Sequence, residues 1–469
     1  MRYLLLYMLV FRMLPVRAQD PAHAGDIARA QDPTWYKDIA PIILAKCAPC
    51  HQPGEAAPFS LLTWSDAAKR ASFIKEVIQS RYMPPWRADR EYTHFANERS
   101  LSDSEIALIT RWIDNKTPRG DGQASGGGGQ APGGGDQMPA AGDAGTRVAP
   151  AVLVPGTIYG RKPDLVLTAA DSFHVAGDNT ERFVVFKIPF ELKDSANVEA
   201  IEFVCNNKKL IHHANYAIQS VPDEQIDIRG NASFVDLTDD DPAKVDQYRP
   251  YQKIMAYYGG WIPGTSYEYF PAAFGWIMPR RGVILLTVHF APSATDESSI
   301  SGVNLFFKKT PVTRIMKVVS FGSGGIGERD IEPIFYIKAN TTQTFKLEVT
   351  NPRQDQSLLY VWPHMHLLGK EFKAYITTPG GDTTRLVHIP VWDFRWQEIY
   401  RFKHPLKVPK GSVIHLECTY DNTAGNPVNP NSPPKTVFSM GVMKTKDEMM
   451  TLMMGFLPYK EGDEFISLE

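Results

Sequence analysis

The chain has 469 residues, 43% of them hydrophobic and 11% aromatic, and a formal net charge of −2. That length exceeds one ordinary core and calls for about three globular units at roughly 100–200 residues each. The near-balanced charge excludes a strongly basic nucleic-acid surface and gives no electrostatic reason to expect an anionic membrane partner.

The opening stretch, MRYLLLYMLVFRMLPVRAQD, places Arg2 before a short apolar run and ends on Val16-Arg17-Ala18, where a small-residue cleavage site can lie. It predicts an export signal over 1–18, interrupted by Arg12, with an uncleaved membrane anchor as the alternative reading. The mature chain is then expected in a bacterial periplasm or outside the cell. No later stretch holds the ~18 apolar residues needed to cross a bilayer. Of the four cysteines, Cys205 and Cys418 allow at most one disulfide, and they read as two buried thiols in different lobes. Asn115, Asn231 and Asn340 lie in N-x-S/T patterns, which a bacterial chain leaves unglycosylated.

Residues 33–119 read as a small all-α domain. TWYKDIAPIILAKC spaces Tyr36, Ile39, Ile42 or Ile43 and Cys47 at helical intervals, and LSDSEIALITRWID begins with a capping box at Ser102 and Glu105 followed by Ile106, Ile109 and Ile113 on one stripe. Between these helices stands CAPCH. Two thiols three residues apart can form thioethers with the vinyl groups of a haem, and the next residue then sits beneath the iron. Cys47 and Cys50 are the expected attachment points of one covalent haem c and His51 its proximal ligand. A redox or metal-binding Cys-x-x-Cys pair is the alternative, but it wants a βαβ context or further Cys and His ligands, and neither is nearby. Met83 in RYMPPW is the candidate sixth ligand, with His94 or a core role for Met83 as alternatives. This domain resembles a cytochrome c and reads as a one-electron carrier.

Residues 120–150 are glycine-rich and nearly free of apolar side chains, which predicts a flexible linker between two independent folding units. Beyond it the pattern changes to short period-two runs broken by Gly, Pro, Asn and Asp. RFVVFKIPF, GVILLTVHFAP, SVIHLECTY and VWDFRWQ, with Trp392, Phe394 and Trp396 on one face, predict two antiparallel β-sandwich lobes, 151–310 and 311–469. FGSGGIGERD, 321–330, reads as a joint near their boundary. Five histidines fall into three groups: His212 with His213, His289 alone, and His364 with His366. In a strand, residues i and i+2 share a face, so His364 and His366 form a ready bidentate pair. Adjacent His212 and His213 face opposite ways unless the backbone bulges.

The ordered set HHAN, VH, HMHLLG, WDFRWQ, CTYDNTAGNPVNPN and DEM resembles the copper type II monooxygenases, the group that includes the peptidylglycine- and dopamine-hydroxylating enzymes, over residues of roughly 155 to 460. The resemblance implies two copper ions facing each other across an open cleft. His212, His213 and His289 would hold the first, and His364, His366 and Met449 the second. Met440, Met443, Met450, Met453 and Met454 crowd the same stretch as Met449, so that choice rests on DEM. The implied activity is hydroxylation of a C–H bond of a small organic substrate with O2, with His364, His366 and Met449 as the catalytic centre. Trp362, Thr451 and Met453 stand where the peptide-amidating enzyme binds a carboxylate, so a peptide C-terminus is not the expected substrate. An external donor reducing the haem domain would supply the electrons. A non-oxygenase electron-transfer, copper-holding or redox-sensing protein is the alternative function.

Overall fold

The computed structural model describes residues 32–121 and 160–469, apart from 240, 242, 266, 272, 352, 353 and 440–445. The expected export signal and nearly all of the glycine-rich segment lie outside the described residues. None of the described helices is long and apolar enough to cross a membrane.

Residues 32–121 form short helices around a small core. Trp35–Ile39 and Ala40–Lys46 run together, with Pro41 in the first turn of the second, where its missing N–H costs nothing. Trp64–Ala68 and Asp103–Asp114 each begin with a capping box, Thr63 with Asp66 and Ser102 with Glu105. Trp35, Ile43, Ile74, Ile109 and Trp112 fill the space between them. The segment that follows Met83 leaves this core: Ala88 and Phe95 are buried with residues of the C-terminal sheets, and Trp86 packs edge-on against Tyr400 at 5.2 Å. The expectation of two independent units is therefore not met, because 86–99 is packed into the β region.

The rest of the described chain is mostly sheet. In the first sheet pair, a five-stranded sheet runs Phe234–Asp236, Arg182–Glu191, Arg281–Phe290, Ile211–Ser220, Met255–Trp261, facing a sheet built around Ala196–Cys205 and Ser301–Phe307. In the second pair, Lys317–Gly322, Thr451–Pro458, Gln356–His364 and Tyr400–Val408 face Thr341–Thr350, Val413–Asn422, Gly369–Thr377 and Thr383–Ile389. Val413–Asn422 alternates half-buried and buried residues along its length, as a one-sided strand must. Arg281–Phe290 does not alternate, being buried on nearly every residue, because Ile228, Val235, Tyr248 and Tyr251 cover its outer face. VWDFRWQ is not a strand: it forms a turn in which Trp396 N–H donates to Asp393 O at 2.9 Å. The two sheet pairs share apolar contact, since Tyr360, Trp362 and Met453 of the second lie in the core cluster of the first. All four cysteines are free, Cys418 buried and Cys205 half-buried.

Candidate metal centres and the cavity between them

His289 lies near the end of the central strand Arg281–Phe290, paired with Phe183 on one side and His213 on the other. The next pair jumps from His213 to Ile211 opposite Phe290, so His212 is the extra residue of a β-bulge. That bulge resolves the problem posed by adjacent histidines. His212 and His213 each bring their ring centroids to 5.1 Å from that of His289, nearly perpendicular to it. Burial first, and then the neighbouring His289, depress the His212 pKa to about 4 and push that of His213 well below its usual value. Both rings are therefore neutral at neutral pH, as metal ligands must be. Nδ1 of His212 and Nδ1 of His289 are buried without a hydrogen-bond partner among the described residues. Buried polar atoms are normally paired, so these two fit a metal ion. Glu181, which sequence reasoning missed, stands beside them: its carboxylate lies 3.3 Å from His289 Nε2 and 3.9 Å from His212 Nδ1.

The second cluster is held more tightly. His364 closes strand Gln356–His364, and His366 follows just beyond it. Gln397 donates through Nε2 to Phe394 O at 2.9 Å, which leaves its Oε1 to accept from His364 Nδ1–H. His366 Nδ1–H donates to Asp447 O at 2.9 Å. With both Nδ1 atoms serving as donors, the neutral rings turn their Nε2 atoms toward each other, 3.1 Å apart. Two lone pairs at that distance repel unless a cation sits against both. Burial, then His366, holds the His364 pKa at about 3. The backbone turn carrying His366 is fixed by Glu448, whose carboxylate accepts from His366 N–H at 2.9 Å and Leu368 N–H at 2.6 Å. Burial raises the Glu448 pKa to about 8 against those bonds. Met449 lines the same space, as does Met453 from the apolar core, whereas Met450 and Met454 belong to the core alone. Met440 and Met443 lie outside the described residues.

His213 and His289 from the first cluster and His364, His366 and Met449 from the second line one cavity of about 400 Å³. The two clusters thus face the same space. Phe394 reaches into it from the turn that had been read as a strand, its ring centroid 5.9 Å from His289 and 5.7 Å from His366. Met255, Tyr258, Ile262, Trp362 and Met453 supply apolar wall, and the described lining contains no Lys or Arg. Thr451 is committed elsewhere, its hydroxyl donating to Ser323 O at 3.0 Å. Trp362 lies over Tyr258 at 6.2 Å, and its buried Nε1 has no partner among the described residues.

In the helical unit, His51 Nδ1–H donates to Phe59 O at 3.1 Å and the two rings lie 4.6 Å apart, which frees Nε2. Burial lowers the His51 pKa, which keeps its imidazole neutral, and raises that of the Cys47 thiol to about 12. Met83 lines a separate cavity of about 290 Å³ with Ile78, Trp86 and Ile106. His94 is exposed and 3.2 Å from Glu98. Cys50 abuts the turn that follows strand Met255–Trp261: a methyl group at Gly264 would stand 2.7 Å from its Sγ. Two buried ion pairs flank this contact, Lys208 with Glu55 at 2.7 Å and Arg99 with Glu398, and Arg99 also donates to Gly264 O at 3.2 Å.

No curated protein matches the chain. Similar solved structures include the major capsid protein P2 of bacteriophage PM2, at 9% identity and TM-score 0.22 over 64% of this chain and 99% of that one. An allantoicase follows at 11% identity and TM-score 0.16 over 50% and 76%, and the VP2 subviral particle of infectious bursal disease virus at 8% and 0.18 over 64% and 71%. At such TM-scores these likenesses carry no weight for fold or function. The sequence itself is more informative: residues 338–458, which contain His364, His366 and Met449, match the family model of the copper type II ascorbate-dependent monooxygenase C-terminal domain.

Proposed function

We propose that this protein is a copper-dependent monooxygenase that hydroxylates a C–H bond of a small, largely apolar substrate, with electrons delivered through a covalently bound haem c in its helical unit. The observation that carries the reading is that both histidine clusters line one cavity. His212, His213 and His289 would hold one copper, and His364, His366 and Met449 the other. Copper held by His364, His366 and Met449 would supply the one-electron chemistry needed to activate O2, and copper held by the three imidazoles would store the second electron.

The chain's own residues do the rest. Gln397 and Asp447 O fix the two imidazole tautomers, and Glu448 fixes the turn between them, so the donor atoms need no rearrangement when the metal binds. Phe394, Trp362, Tyr258 and Met453 exclude water and favour an apolar substrate. The buried Trp362 Nε1–H, without a partner among the described residues, is one donor that can orient a substrate oxygen or nitrogen, and Asn215 lines the same cavity. With no Lys or Arg in the described lining, a substrate carboxylate finds no partner there.

The haem reading rests on Cys47, Cys50 and His51, whose thiols form no disulfide and whose imidazole is oriented by Phe59 O. The ion pairs Lys208–Glu55 and Arg99–Glu398 favour a docked unit over a freely ranging one. Cys50 then stands against the turn next to Trp261, which is paired with Ala214, the neighbour of His213. An exported, bacterial setting and an external one-electron donor follow from the Cys-x-x-Cys-His motif and the leader sequence. The experiment is to purify haem-loaded protein and follow O2 uptake with apolar compounds, amines, phenols and peptides. Copper-dependent uptake with an apolar substrate, lost in Cys47→Ala/Cys50→Ala under a cytochrome-specific donor, is expected. Unchanged uptake in that variant would sink the haem route.

A further inference from the structure

We propose that Glu181 is a functional member of the first metal centre, a positioning residue that accepts a hydrogen bond from His289 Nε2–H and places a negative charge beside the bound copper. The inference rests on the copper reading above. Glu181 immediately precedes strand Arg182–Glu191, whose Phe183 is paired with His289, so the sheet itself delivers the carboxylate to the cluster. One ligand-capable atom each from Glu181, His212 and His289 lie within 4.8 Å of one another.

The carboxylate's task is to set the tautomer of His289. His289 is 2% exposed, and its Nδ1 has no partner among the described residues. With Nε2–H donated to Glu181 Oε2 at 3.3 Å, the proton is kept off Nδ1, whose buried lone pair is left available to a metal ion. Remove the carboxylate and either nitrogen can carry the proton, so part of the population presents N–H to the metal. The negative charge has a second effect, since it offsets the greater charge of Cu(II) more than that of Cu(I) and so lowers the reduction potential of this centre. Sequence patterning offers no signal for this residue, because Glu181 is distant from every histidine group along the chain.

The test uses the full chain with His364→Ala, which disables the second cluster, and adds Glu181→Ala or Glu181→Gln. Cu(I) alone is titrated against a chromophoric chelator, the Cu(II) electron paramagnetic resonance spectrum is recorded, and the reduction potential is measured. Glu181→Ala is expected to weaken copper binding about 10–100-fold and change the spectrum. Glu181→Gln, which keeps an acceptor oxygen without the charge, is expected to restore most of the affinity but hold a raised potential. Wild-type affinity, spectrum and potential in both variants would overturn the inference while leaving the copper reading intact. Failure of the parent protein to bind copper at this cluster would overturn both.

Discussion

Arg99 and Glu398 form an ion pair that is almost wholly removed from water, and Glu398 is the immediate neighbour of Gln397, the residue that orients His364. Arg99 belongs to the segment that leads from the helical unit into the β region, so one contact ties that unit to the second histidine cluster. Arg99→Ala leaves Glu398 buried without its partner. A loss of about 3–5 kcal/mol is expected by urea denaturation, together with faster proteolysis between residues 84 and 99.

Glu448 provides the second test. Its carboxylate satisfies two buried N–H groups, of His366 and Leu368. Glu448→Ala orphans both, at about 1–3 kcal/mol each. Copper affinity at the second cluster is expected to fall about 10–100-fold in chelator competition, while the first cluster binds as before.

Phe394 touches imidazoles from both clusters and fills the middle of the cavity. Truncation to Ala removes a nearly buried ring and is expected to cost about 3 kcal/mol. Copper content should remain at the wild-type level, because no donor atom is lost. Bulkier substrates should then support O2 uptake, measured as a shift in relative kcat/KM.

Glu268 supplies a pH dependence away from the metals. Burial among Tyr216, Tyr257 and Tyr360 holds its carboxyl above the usual range, despite Arg401 and the hydrogen bond donated by Tyr216 at 3.3 Å. A raised folded-state pKa means that this group's contribution to stability is full below the unfolded value of about 4.3 and is lost as pH rises through the folded one. Glu268→Gln removes that dependence. The stability of the variant relative to wild type should therefore increase with pH, read by denaturant titrations between roughly pH 4 and 8.

Much of this was legible in the sequence because the informative residues are local. The Ser102–Glu105 capping box, the alternation of SVIHLECTY and the His364/His366 spacing each state their own geometry within a few residues. The bulge at His212 followed from the requirement that neighbouring histidines share a face. What escaped the sequence is non-local. Glu181 is set beside His289 by sheet pairing, and the burial of Arg281–Phe290 on both faces depends on a distant covering segment. VWDFRWQ alternates like a strand, yet Asp393 closes a turn there, accepting from Arg395 N–H at 3.2 Å and pairing with Arg87 at 2.7 Å. The docking of the 86–99 segment could not be read from a motif, since its partners lie some three hundred residues away, as with Arg87 and Asp393.

The central claim is that two copper centres, built by different parts of the chain, share one cavity. Its most direct test is copper per chain in the wild type, in His289→Ala and in His364→Ala/His366→Ala, with O2 uptake measured on the same samples. Two coppers in the wild type, one in each variant, and turnover only in the wild type are expected. A wild type that binds no copper, or variants that keep both ions and full turnover, would contradict it.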